Sequence, residues 1–199
     1  MKRGGICAII KMAWAKGFYT DLKAALISLG ISIMLLVENM EKILTKIYKN
    51  RPLSKTLGVI SHIITLLFVL AFLFCEAIVI YAQHYRVAIS MASSALVGYL
   101  LVSAAREVLD APRPYELYDF YEILPKRKKG KSFPSRHAYS AFAIATLSFA
   151  VGFPLGIILT LLGIIMCACR ALLGIHFIRD LAAGAALGIV SGALGLLLI

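Results

Sequence analysis

Near its C-terminal end three polar side chains, Arg170, His176 and Asp180, stand out in the largely apolar run CRALLGIHFIRD at residues 169–180. A charge inside a membrane segment costs roughly 2.5–3.5 kcal/mol on insertion scales, so such groups mark functional sites by default. His176 and Asp180 are four residues apart, the spacing that puts two side chains on one face of a helix. A carboxylate so placed accepts the Nδ1–H of the imidazole and leaves the Nε2 lone pair free, which suits histidine as a nucleophile or base. Gly174 lies between Arg170 and His176, where a break in the helix aims both at one point. The plainer reading is a helix-end ion pair between Arg179 and Asp180.

Two other places hold polar groups of the same kind. Arg106 and Arg113-Pro114 follow one apolar run, and Pro134-Ser135-Arg136-His137 precede another. Between them residues 106–136 form a long polar loop, which in a small chain is more often functional than not. Its basic run, Lys126-Arg127-Lys128-Lys129-Gly130-Lys131, reads equally well as a topology signal or as an attractor of anionic headgroups. Pro134 and Ser135 favour a helix start, whose free backbone N–H groups make an anion site.

The elements that must position these groups are apolar. The 199 residues are 61% hydrophobic with a mean hydropathy of +0.88, far above the globular norm. The class is an all-α, polytopic transmembrane bundle of five to six helices. Clear spans are expected at 57–81, 87–105, 138–153, 155–168 and 181–199. Residues 24–37 are 14 in number, short of the roughly 20 that a span needs, and are read as a sixth whose ends reach Leu22 and Met40, with a re-entrant or interfacial helix as the alternative. One domain covers 1–199, with an interfacial and first-helix region at 1–56 and a catalytic helical core at 57–199. No secretory signal is read, because the apolar run at 6–10 is too short.

Within the spans, Glu76 is expected to hydrogen-bond a neighbouring helix, and His62 to be structural. Cys7, Cys75, Cys167 and Cys169 lack metal-ligand spacing and read as buried thiols. Gly184, Gly188 and Gly192 form a small-residue face that suits packing inside the bundle, with a homodimer contact as the alternative. The net charge of +11 sits on a membrane scaffold, so anionic lipid rather than nucleic acid is the expected partner.

Two crossings separate the second polar place from the third, so all three fall on one membrane face. Arg106, Arg113, Ser135, Arg136, His137, Arg170, His176 and Asp180 can then share a site. Several arginines without matching acids need an anion to hold them together in a buried pocket. Their planar forks match phosphate oxygens. With two histidines alongside, the chemistry is phosphoryl transfer.

The three places resemble the motifs of the type 2 phosphatidic acid phosphatase superfamily, which shares its core with vanadium haloperoxidases. Those motifs are K-x6-R-P, P-S-G-H and S-R-x5-H-x3-D. This chain reads Arg106-x6-Arg113-Pro114, Pro134-Ser135-Arg136-His137 and Cys169-Arg170-x5-His176-x3-Asp180, with every internal spacing kept. Three positions depart: Arg106 stands for lysine, Arg136 for glycine and Cys169 for serine. By the resemblance, His176 attacks phosphorus, Asp180 holds its tautomer, and His137 protonates the leaving oxygen and then activates water. Arg106, Arg113, Ser135, Arg136 and Arg170 hold the phosphoryl oxygens, and neither metal nor other cofactor is expected.

The expected function is therefore an integral-membrane phosphatase of phosphatidic acid, phosphatidylglycerol phosphate or a polyprenyl diphosphate. The alternatives are a lipid phosphotransferase and a non-catalytic lipid-binding or transport protein. The resemblance places the site on the extracytoplasmic face of the cell membrane. The charge distribution opposes it, since the site face carries 15 of the 21 Lys and Arg.

Overall fold

The computed structural model describes residues 42–43, 45–47, 50–117 and 129–198. The expected interfacial region and first span, at 1–23 and 24–37, lie outside the described residues, as does most of the basic run of the polar loop. The helices below belong to the unit Leu44–Ile199.

Six helices follow in order: α1 (Arg51–Tyr81), α2 (Tyr85–Leu109), the single turn α3 (Pro114–Leu117), α4 (Arg136–Leu147), α5 (Phe153–Leu172) and α6 (Ile178–Leu197). No strand occurs among the described residues. Among the described residues, four stretches are long and apolar enough to cross a membrane: Arg51–Tyr81, Tyr85–Glu116, Phe153–Leu172 and Ile178–Leu197. Their outer faces carry exposed large apolar side chains, among them Leu66, Leu73, Phe74, Leu101, Ile158 and Leu161. Such a surface suits lipid and not water.

Local chemistry sets the ends. The Asn50 side chain caps α1 by accepting from the Leu53 N–H at 3.2 Å, with Pro52 in the first turn. Pro154 lies in the first turn of α5, where its missing N–H costs nothing. After α5, Gly174 takes a φ of +57°, a left-handed conformation that glycine adopts without strain and that turns the chain before α6.

The helix at the centre departs from expectation. Residues 138–153 are expected to form a span, yet α4 has 12 residues and closes in a 3-10 turn at Ser148–Ala150. At 1.5 Å per residue its α-helical part is about 18 Å long, well short of a hydrocarbon core of about 30 Å. Its apolarity reflects enclosure by protein. Ala138, Tyr139, Ala141, Ala143, Ala145 and Leu147 are all buried, with α6, α5 and α2 packed around them.

The α4–α6 seam explains the glycines. Gly184, Gly188 and Gly192 are buried in α6, and a Cβ on them would collide respectively with the Ser135 carbonyl, the Tyr139 carbonyl and the Thr146 side chain. The two backbones therefore touch. The homodimer alternative for these glycines is corrected accordingly, because α4 already covers them. Midway along the seam the Tyr139 hydroxyl bonds the Ser191 hydroxyl at 2.9 Å and donates to the Ala95 carbonyl at 3.1 Å, tying α2, α4 and α6 together. The carboxyl of Glu76 is not anchored as expected: its buried Oε1 has no hydrogen-bond partner among the described residues. Cys75, Cys167 and Cys169 are free thiols.

Candidate active site

Four segments meet at one end of the bundle: the end of α2, the strap 129–135 that leads into α4, the turn after α5, and the start of α6. The first two are clasped by backbone bonds. Ser132 N–H donates to the Ala111 carbonyl at 2.8 Å, and Lys131 N–H to Asp110 Oδ1 at 3.2 Å. Glu116 Oε1 accepts from Gly130 N–H at 2.6 Å and from Arg113 N–H at 3.3 Å. The Lys131 ammonium pairs with Glu107. At the other side of the strap, Ser135 N–H donates to the Asp180 carbonyl at 2.9 Å, locking it to α6.

The arginines take part in this clasp. Arg106 is buried, and its Nη1 donates to the carbonyls of Ser132 at 3.1 Å and Pro134 at 2.7 Å. Arg113 donates from Nε to the Gly130 carbonyl at 2.9 Å. A guanidinium has five N–H donors, so these bonds fix each side chain and leave further donors for a ligand. Arg170 is buried at the end of α5. Arg136 is exposed at the start of α4, its guanidinium 5.9 Å from the centre of the Tyr99 ring, within cation–π range. Ser135 is fully buried and caps α4, accepting from the Ala138 N–H at 3.4 Å.

His176 is not on a helix with Asp180, contrary to the spacing argument. It lies in the turn that Gly174 starts. Helix α6 begins only at Ile178, with Phe177 as its cap and Asp180 in the first turn. Both are buried, yet His176 Nδ1 is 3.7 Å from Asp180 Oδ2, too far for a hydrogen bond. Between them stands Ser132, which the sequence reading passed over. Its Oγ is 2.5 Å from Asp180 Oδ2 and 3.2 Å from His176 Nδ1. Asp180 Oδ2 also accepts from the Phe177 N–H at 3.1 Å. The plainer expectation holds as well, since Arg179 Nε lies 3.5 Å from Asp180 Oδ1. Burial pushes the His176 pKa down, and the Arg113 and Arg106 charges push the same way, against the pull of the nearby Asp180 carboxylate.

His137 is half-buried and belongs to the same charge field. Burial lowers its pKa to about 3, with Arg170, His176, Arg136 and Arg106 adding to the fall. Both imidazoles are thus neutral near pH 7 in the ligand-free protein. His137 and Arg136 also line a crevice of about 230 Å³ whose other walls include Phe68, Val69, Ile144 and Met166. A larger cavity, about 520 Å³, lies between α2 and α6 around Leu101, Val190 and Tyr139, and neither histidine lines it. The polar end, not the larger cavity, is where reactive groups gather.

A family model described as the PAP2 superfamily matches residues 85–199, more than half of the chain. The chain belongs to the PAP2 superfamily. Among solved structures it is similar to the first transmembrane PAP2 type phosphatidylglycerolphosphate phosphatase from Bacillus subtilis, with a TM-score of 0.62 and 21% identity over 81% of this chain and 84% of that one. It also matches Aquifex aeolicus LpxE, at a TM-score of 0.49 and 22% identity over 71% and 93% of the two chains. No curated protein matches.

In this PAP2 chain the three motifs, far apart in sequence, are stitched by the contacts above: Arg106 to the strap, Ser135 and Ser132 to Asp180, and Arg113 Nη1 toward the Ile175 carbonyl at 3.5 Å. Two departures from the motif letters find a setting in the fold. Arg136 leans over the Tyr99 ring. Cys169 is a buried free thiol near the end of α5.

Proposed function

We propose that this PAP2 protein is a membrane lipid-phosphate phosphatase that works through a phosphohistidine on His176. The observation that carries the reading is the convergence, in one charge field, of a carboxylate-backed histidine, a second histidine and four arginines, with His137 and Arg136 of this group lining an apolar crevice. Arginines so grouped call for an anion, and an apolar wall beside them calls for an acyl or prenyl chain.

In the first step Nε2 of His176 attacks phosphorus, a P–N bond forms and the bond from phosphorus to the lipid oxygen breaks. His137, protonated in the complex, gives its proton to that oxygen. In the second step water attacks phosphorus, His137 takes a proton from it, the P–N bond breaks and inorganic phosphate leaves. Donors of Arg106, Arg113 and Arg170 and the N–H groups at the start of α4, that of Arg136 among them, stabilise the phosphoryl oxygens, a role that metal ions fill in other phosphoryl-transfer enzymes. Activity is accordingly expected to survive EDTA, and vanadate to inhibit.

The substrates proposed are phosphatidic acid, phosphatidylglycerol phosphate and polyprenyl diphosphates. The test is phosphate release by the purified full chain in vesicles from each of the three, with glycerol 3-phosphate as a water-soluble control. Release from at least one lipid and far less from the control is expected. No release from any lipid overturns the reading in favour of a binding or transport role. The site is proposed to face the extracytoplasmic side. Cysteine placed at the exposed Lys129 should react with an impermeant maleimide on intact cells, and protection there would reverse the assignment.

A further inference from the structure

The pair of contacts around Ser132 has a chemical consequence. A hydroxyl has one proton and two lone pairs. At 2.5 Å from the Asp180 carboxylate, which only accepts, the Ser132 Oγ must direct its proton there, because two lone pairs at that distance repel. What the same oxygen presents to His176 Nδ1, 3.2 Å away, is then a lone pair. Nδ1 must carry the ring proton, and Nε2 is left as the nucleophilic nitrogen. The opposite tautomer would leave two acceptors facing each other in a buried site.

From this geometry we infer that Ser132 is the positioning residue for His176: it passes the influence of Asp180 to the imidazole through a serine hydroxyl, where the carboxylate itself stands out of range. Ser132 is fitted for the part. It has no exposed surface, its N–H is held by the Ala111 carbonyl, and its carbonyl is held by Arg106 Nη1. Arg106 therefore acts on the nucleophile at a distance, by fixing the segment that carries the serine. When His176 takes on the phosphoryl group and its ring becomes cationic, the Nδ1–H bond to Ser132 strengthens and the positive charge is met by Asp180 through the hydroxyl.

The inference deepens the phosphohistidine reading for catalysis, while the tautomer stands independently of it. Two measurements on the full chain test them separately. Nitrogen-15 spectra of histidine-labelled protein, with His176 assigned by a His176→Gln variant, should show the Nδ1–H tautomer in the wild type at pH 7. In Ser132→Ala that signal should give way to the Nε2–H form or a mixture. Steady-state kinetics on the preferred lipid phosphate should show kcat lower by about 10–100-fold in Ser132→Ala, the loss typical of removing a partner that orients a histidine, with KM unchanged. Ser132→Thr, which keeps the hydroxyl, should recover the Nδ1–H signal. An Nε2–H tautomer in the wild type overturns the inference even if no variant folds, as does Ser132→Ala with the wild-type tautomer and kcat. A wild type with the Nδ1–H signal but no turnover on any lipid would instead overturn the phosphatase reading and leave the serine's place intact.

Discussion

The two histidines share one set of arginines but have different backs. His176 is almost wholly buried, and behind its Nδ1 stand Ser132 and, through it, Asp180. His137 is half-buried; among the described residues no hydrogen bond holds its ring, and it lines a crevice with apolar walls. A ring held from behind has one free nitrogen and one orientation, which a nucleophile needs. An unheld ring can take up and release a proton as its neighbours change charge, which an acid-base group needs. In this site the assignment of roles comes from what each ring touches, since both feel the same field.

The largest effect that would sharpen the contrast is loss of the held ring. His176→Ala should lower turnover on every substrate by about 10⁴-fold or more, as removal of a nucleophile does. A loss that depended on the leaving group would break the contrast.

Loss of the unheld ring should depend on the substrate. A general acid contributes about 10²–10⁴-fold, and little when the leaving group is already a stable anion. His137→Ala should therefore lose that factor on a lipid phosphate and far less in the burst of nitrophenolate from a nitrophenyl phosphate, measured by rapid quench. Equal losses on both would mean the roles are exchanged or shared.

A smaller effect concerns protons. The ligand-free pKa of His137 lies near 3, so the ring is neutral at pH 7. A bound phosphate-like anion offsets the arginine charges and raises that pKa, and the proposed mechanism, with His137 protonated in the complex, requires binding to draw a proton from solution. Calorimetry of vanadate binding at pH 7, in buffers of different ionisation enthalpy, should show uptake of up to one proton in the wild type and less in His137→Ala. The pKa of His176 is also lowered, so this ring stays neutral as pH falls below the usual histidine value of about 6.5. Proton release on binding would contradict this picture.

The least effect should come from Arg136, which is exposed and leans on Tyr99. Arg136→Gly, which restores the family letter, should change KM by roughly two- to fivefold, the worth of about 0.5–1 kcal/mol for such an exposed cation. A change of 100-fold would place its guanidinium on the substrate.

How much of this was legible in the chain follows from the range over which each feature is determined. The helix start at Ser135, the break at Gly174 and the apolar stretches are local, and periodicity and residue type show them. The motif spacings likewise marked the site region. Two features were hidden. Apolarity does not show where a regular helix stops, so the end of α4 at Leu147 and its closing 3-10 turn were not foreseen. Ser132 is one serine in a polar loop, and nothing in its local sequence announces an aspartate 48 residues away. The spacing of His176 and Asp180 misled for a local reason: the helix that holds Asp180 starts only two residues after the histidine.

The most direct test of the central contrast is the chemical identity of the intermediate. The full chain in vesicles, quenched in alkali within milliseconds of mixing with nitrophenyl phosphate, should carry one acid-labile, alkali-stable phosphoryl group, and peptide mapping should place it on His176. In His137→Ala, which lacks the base for the second step, it should accumulate. Phosphate on His137 or on any other residue, or full turnover in His176→Ala, would contradict the assignment.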